Sequence, residues 1–332
     1  MKSKYIDERL CTNRYLSEEE FNSIIEKTEE FYERILSLEY TPLSFYEKIS
    51  ILGFCGEMLS ILKEKEQCID KIYAILVELK QYIEEHHYAD ISLFGGLTNI
   101  AIFLIPVIEE TKYFEKFQNT LNDIIIEVAS RQSLLYKNNL KITCSSHYDA
   151  INGLSGVAIY LLTLRSENAE KCLRDILSYF VELSLLKTVN GILVPGWYVS
   201  KDCLPTDEYK RDFQKGCINF SLSHGIAGPL YILGKSMSVG IEVDGQRKAI
   251  ERILGEYNKV FTYVDGICIW PGMMKLEDYL SKKDITNNLR MSWCYGSLGV
   301  LRSIIVAADA IGNKPLVKWG ENSTVKDYRN AY

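Results

Sequence analysis

The sequence predicts an all-α chain of stacked helix pairs with small β insertions, and three observations carry that expectation. Apolar residues recur at three- and four-residue spacing over most of the chain. Five segments share one form, a loop and then a glycine pair or a near relative opening an apolar helix: Gly53-Phe-Cys-Gly56, Gly96-Leu-Thr-Asn99, Gly153-Leu-Ser-Gly156, Gly225-Ile-Ala-Gly228 and Gly296-Ser-Leu-Gly299. Their first glycines fall 43 to 72 residues apart, about the length of an inner helix, a loop and an outer helix. Repetition on that scale means a helical array that buries its faces between neighbours.

Composition narrows the class. With 332 residues, 47% hydrophobic and 25% charged, the chain can bury a large core in one or two domains. A net charge of -6 argues against a nucleic-acid partner. The first ten residues hold no apolar run suited to a signal peptide, and no stretch reaches eighteen uncharged apolar residues, so a cytoplasmic protein is expected. Nine cysteines without framework spacing fit reduced thiols in that compartment.

Taken in order, Ser17-Glu-Glu-Glu20 reads as a capping box whose helix sets Phe21, Ile24, Ile25, Thr28, Tyr32, Ile35 and Leu36 on one face. Thr41-Pro42 marks the next boundary, with a helix from Leu43 running into Gly53. Cys68, Ile69, Ile72, Ile75, Leu76, Leu79 and Ile83 form an outer stripe that His86-His87 ends. The second pair opens at Gly95-Gly96 with a helix expected to break at Pro106, and Phe114 to Val128 supply its outer stripe. Asn99 replaces the second glycine there, which makes this the weakest repeat.

A polar connector is expected from Ser130 to Ser146; within it Cys144-Ser-Ser-His147 has a spacing a metal could use, but offers only two ligand types and no partner pair nearby. Val189 to Val199 departs from helical spacing, and its Asn-Gly and Pro-Gly steps predict a hairpin or long loop beside a cavity. Pro229 fits the first turn of the fourth inner helix. Val260 to Gly272 again reads as extended segments and turns.

Chemistry-bearing residues stand just before three of the glycine pairs: Asp149 before Gly153, His224 directly before Gly225, and Cys294 before Gly296. A thiol at a helix entrance meets partial positive charge and unpaired N–H groups that favour the thiolate, and Arg290 pushes the same way. Should the inner helices run in one direction, all three converge at one end of the array. Glycine-rich phosphate loops and kinase motifs are absent from the sequence.

The stretches His147-Tyr-Asp-Ala-Ile-Asn-Gly-Leu-Ser-Gly156, Asn219-Phe-Ser-Leu-Ser-His-Gly-Ile-Ala-Gly228 and Arg290-Met-Ser-Trp-Cys-Tyr-Gly-Ser-Leu-Gly299 resemble the lanthionine synthetase C-like family, the peptide cyclases of lanthipeptide biosynthesis. With the glycine repeats the resemblance extends over roughly residues 45 to 310. It implies an α,α-toroid of seven inner helices, of which five glycine-marked repeats are visible here, as one domain over 1–332 incomplete at its C-terminal end. It also implies thioether ring closure, in which a cysteine thiol of a dehydrated precursor peptide adds to dehydroalanine or dehydrobutyrine with zinc holding the thiolate.

By that resemblance Cys294 is one zinc ligand, His224 the proton-transfer residue, and Asp149 and Arg290 polar residues lining the same site. The family's other two zinc ligands, an adjacent Cys-His pair in a later repeat, have no counterpart, since no Cys or His follows Cys294. A binding module that holds the precursor without cyclising it is therefore the alternative, and a plain helical scaffold a third reading. Expected partners are the precursor peptide, with a dehydratase and an exporter in a membrane-associated complex. The chain has no room for a fused dehydratase or kinase domain and reads as a stand-alone cyclase.

Overall fold

Helix α1 (Glu18–Ser37) starts where Ser17 accepts a hydrogen bond from Glu20 N and the Glu20 carboxylate returns to the Ser17 N–H, closing the expected capping box. Ile25, Tyr32 and Ile35 of its stripe are buried, whereas Ile24 stays 49% exposed. The structure, a computed structural model, describes residues 4–7, 11, 15–38, 43–264, 267–283 and 292–330. Thr41-Pro42 lies outside the described residues. Helix α2 (Phe45–Met58) begins at Phe45 rather than Leu43, because Ser44 and Glu47 form a second capping box.

The chain divides into two compact units, Met1–Asp90 with Gly95–Ile124, and Ile91–Phe94 with Ile125–Tyr332. In the first, α2 packs on α3 (Glu66–Glu85) and on α4 (Leu97–Thr111). The glycine pair of α2 exists for that contact: a Cβ at Gly53 would sit 2.7 Å from the Phe103 ring, and one at Gly56 3.0 Å from the Phe103 carbonyl. Pro106 does not break α4. The helix runs through it to Thr111, giving up one hydrogen bond to stay packed on α2. Asn99 is explained by its side-chain carbonyl, which accepts from Gly95 N at 3.0 Å where Gly95 holds φ +90.

Helix α5 (Glu115–Asn138) continues well past Ser130, so the expected polar connector shrinks to the six residues before α6 (Ser145–Tyr148). Residues 130–138 are helical, with Ser133 buried while Leu134 and Leu135 face solvent, so polar composition is no guide to a loop there.

The second unit repeats the pattern with α7 (Leu154–Leu161) on α8 (Glu167–Leu183), α10 (Ala227–Ser238) on α11 (Gln246–Val260), and α13 (Ser297–Ala310) on α14 (Lys314–Asn330). The short helix α9 (Asp207–Asp212) lies in sequence between the first and second of these pairs, and α12 (Leu276–Leu280) precedes α13. The glycine-opened helices also pack on each other, α7 on α10 and α10 on α13. A Cβ at Gly234 would fall 2.7 Å from the Ala307 Cα, so α10 and α13 meet backbone to backbone.

Strands β1 (Leu186–Val189) and β2 (Ile192–Pro195) form the expected hairpin, turned by Asn190 and Gly191, both at positive φ. Strands β4 (Thr262–Val264) and β5 (Ile267–Ile269) pair antiparallel where extended structure was expected. Unforeseen is the pairing of β3 (Cys217–Asn219) with β6 (Met273–Lys275), which hangs the loop before α10 on a strand more than fifty residues later.

Candidate functional site

The loops before α7, α10 and α13 are laced together by backbone hydrogen bonds. Ala150 N donates to Ser223 O at 3.0 Å, and Leu222 N and Ser223 N donate to Cys294 O at 3.0 and 3.1 Å. Asn219 braces the middle loop, its side-chain oxygen accepting from Ser221 N and its carbonyl from Ile226 N. A single polypeptide stretch, 221–223, thus holds Asp149 on one side and Cys294 on the other.

Asp149 follows α6 as its C-cap and is 1% exposed. Its Oδ1 accepts from Ile151 N, Asn152 N and Gly153 N at 3.0, 2.7 and 2.9 Å, satisfying the N–H groups of the loop that leads into α7 and of its N-cap. Its Oδ2 accepts from His224 Nδ1 at 2.7 Å. A buried carboxylate with both oxygens hydrogen-bonded is fixed in place, and it fixes the imidazole in turn. With Nδ1–H committed to Asp149, Nε2 is the ring nitrogen left for chemistry. His224 itself is one-third exposed.

His224, Asp149, Asn152, Asn219 and Tyr295 line a cavity of about 200 Å³, walled on the other side by Cys203, Leu204, Tyr209 and Met273. The Tyr295 ring lies 6.1 Å from the His224 ring. Burial, and next the nearby Tyr209 phenol, push the Tyr295 hydroxyl up to about 12, so it remains a neutral hydrogen-bond donor. A larger cavity, about 460 Å³, between α11 and α14 is lined by no His or Cys.

Of the residues singled out from sequence, the structure joins Asp149 and His224 directly and brings the Cys294 backbone onto the same loops. The Cys294 thiol points to the Ser292 hydroxyl at 3.4 Å, and its neighbour Tyr295, not Cys294, lines the cavity. Arg290 lies outside the described residues. Cys203, Tyr209 and Met273 were not foreseen, because they arrive from the insertions between inner helices and carry no motif. Asn152, Asn219 and Tyr295 sit inside the quoted motifs and were legible there as positions without roles.

A catalytic zinc needs three protein ligands. Among the described residues no three His, Cys, Asp or Glu side chains form such a group, so Cys294 is one candidate ligand without a set. The Cys144-Ser-Ser-His147 spacing serves other ends. His147 Nδ1 accepts from Cys144 N at 3.5 Å and its ring stacks on Tyr136 at 4.0 Å. At the end of α3, His86 Nδ1 meets Tyr82 O at 3.0 Å, as a helix C-terminus invites. No helix among the described residues is long and apolar enough to cross a membrane.

Comparison with known proteins adds the following. The family model described as lanthionine synthetase C-like protein matches residues 48–327. The nisin biosynthesis protein NisC of Lactococcus lactis subsp. lactis is 26% identical over 286 residues, which are 81% of this chain and 65% of that protein. This chain therefore spans a little under two thirds of its curated relative's length. A solved structure titled nisin cyclase superposes with a TM-score of 0.76 over 92% of this chain and 75% of that one, at 21% identity, so the two share the α,α-toroid fold.

Proposed function

Because the chain belongs to the lanthionine synthetase C-like family, we propose that it closes thioether rings in a dehydrated precursor peptide. The observation that carries this reading is the 2.7 Å hydrogen bond from His224 to a buried Asp149 at the edge of a cavity sized for one or two side chains. Addition of a thiol across a dehydroamino acid forms a bond from sulfur to Cβ and leaves an enolate. His224 Nε2 supplies the proton that the Cα then takes, and the proton lost by the thiol restores the imidazolium. Asp149 holds the ring in orientation through Nδ1, and Tyr295 offers a hydrogen bond toward the developing negative charge.

The family's zinc would lower the pKa of the peptide thiol. Cys294 is its proposed ligand here, and no step above passes through a metal because the described residues do not complete its coordination. Arg290 is proposed, from its place in the motif, to line the same site. A single domain over 1–332, a cytoplasmic location and an assembly with dehydratase and exporter belong to the same proposal.

The test is incubation with dehydrated precursor, followed by thiol alkylation and mass spectrometry, for the unmodified protein and for His224→Ala. Ring closure hides thiols from the alkylating reagent. Loss of alkylatable thiols with the unmodified protein and not with His224→Ala supports the proposal. If the protein binds the peptide and leaves every thiol free, the binding-module reading replaces it.

A further inference from the structure

The cavity of about 460 Å³ between α11 and α14 shares no lining residue with the His224 cavity, and its walls have a chemical character of their own. Phe261, Trp270 and Trp319 line it in three different planes. Trp270 and Trp319 meet at 6.1 Å and 89°, Phe261 and Trp319 at 6.3 Å and 67°, and Phe261 and Trp270 at 6.4 Å and 46°. Rings so inclined make a corner rather than a flat wall.

The hydrogen-bonding edges of these aromatics are already engaged. Trp270 Nε1 donates to Tyr257 O at 3.1 Å and Trp319 Nε1 to the Tyr263 hydroxyl at 3.4 Å. Tyr257, a fourth aromatic of the wall, donates its own hydroxyl to Phe220 O at 2.6 Å. What the rings leave for a ligand is π surface and C–H groups.

Helix α11 contributes Glu251, Gly255 and Asn258, which share one helix face. A Cβ at Gly255 would meet no atom within 4 Å, so the glycine keeps the space open. Glu251 is exposed at the rim and forms no ion pair among the described residues. Arg247, one turn earlier, gives its guanidinium to Ile311 O at 2.8 Å instead. The lining therefore carries one carboxylate and no Lys, Arg or His.

We propose that this cavity binds an organic quaternary ammonium ion, with Phe261, Trp270 and Trp319 around the cation, Glu251 balancing its charge, and Ile304 and Leu316 receiving an apolar arm. A cation is drawn to the negative faces of aromatic rings, most strongly when it is weakly hydrated. A quaternary ammonium has no N–H to satisfy, which suits walls whose polar edges are spent. An anion would face Glu251 with no cation beside it. The volume lies in the range of small-molecule pockets and exceeds what a trimethylammonium head alone fills, hence the arm.

The experiment titrates the full chain with benzyltrimethylammonium, with choline and with dimethylbutanol, the neutral carbon isostere of choline, by calorimetry and tryptophan fluorescence. Benzyltrimethylammonium should bind tightest, and the neutral isostere should bind roughly 2- to 30-fold more weakly than choline. Glu251→Gln should weaken binding of both cations, and Trp319→Ala should abolish it. Gly255→Leu should fill the space and also abolish binding, with its thermal unfolding midpoint retained. Sedimentation with phosphatidylcholine vesicles, displaced by benzyltrimethylammonium, would assign the cation to a lipid headgroup; soluble binding without sedimentation assigns it to a free ion. An isostere that binds as well as choline, no binding of either cation, or full binding by Gly255→Leu overturns the proposal. None of these readouts depends on ring closure, so the proposal stands or falls apart from the cyclase reading.

Discussion

Asp149→Asn isolates the part of the site that the structure specifies most fully. The substitution keeps an Oδ1 to accept from Ile151, Asn152 and Gly153, so the loop before α7 should survive. It replaces the anionic partner of His224 Nδ1 by a neutral amide, removing one charge-assisted hydrogen bond at 2.7 Å. Such a bond is worth about 1.5–3 kcal/mol, and at about 1.36 kcal/mol per decade the loss in rate is roughly 10- to 150-fold. An amide that turns its NH2 to the ring also stabilises the wrong tautomer, which pushes the loss toward the upper end. The assay is single-turnover ring closure read by thiol alkylation, beside thermal unfolding of the same sample. A variant within twofold of the unmodified rate, with its fold intact, refutes the role given to Asp149. Asp149→Ala, in contrast, orphans three N–H groups and should cost about 2 kcal/mol or more in stability.

Three further outcomes follow from the packing and the titrating groups. Gly234→Ala should destabilise by about 1–3 kcal/mol, because its Cβ would sit 2.7 Å from Ala307 Cα, while Gly255→Ala, with open space at that position, should stabilise by about 0.5–1 kcal/mol; urea unfolding of both separates the two effects. Asn99→Gly restores the glycine of the other repeats yet should destabilise by about 1 kcal/mol and speed hydrogen exchange at Gly95, whose N–H loses its acceptor. Burial, then the Lys187 ammonium, hold His147 below its ordinary value of 6.5, so the unfolded chain binds the extra proton first. Its contribution to stability is present above 6.5 and is lost as pH falls below that value toward the lowered folded one, and unfolding midpoints of His147→Gln should show a shallower acid loss.

The helix pairs were legible because a glycine pair opening an apolar run is a local signal, and steric contact at Gly53 and Gly299 shows why only glycine serves. Asp149, His224 and Cys294 were legible for a related reason, since each stands at a helix start marked by that signal. What sequence could not show is non-local. The β3–β6 pairing joins residues 217–219 to 273–275, and the cavity wall of Cys203, Tyr209 and Met273 comes from insertions held by that pairing and by the Val199–Cys217 bridge. Pro106 misled because a missing hydrogen bond is a smaller term than the packing of α4 on α2.

The most direct test of the account is the stereochemistry of rings formed in D2O. If His224 delivers the proton from one face, the unmodified protein gives rings with one deuterium at each new Cα and a single configuration there, and His224→Ala gives slow addition with mixed configuration. Mixed configuration from the unmodified protein, or a single configuration retained in His224→Ala, would contradict it.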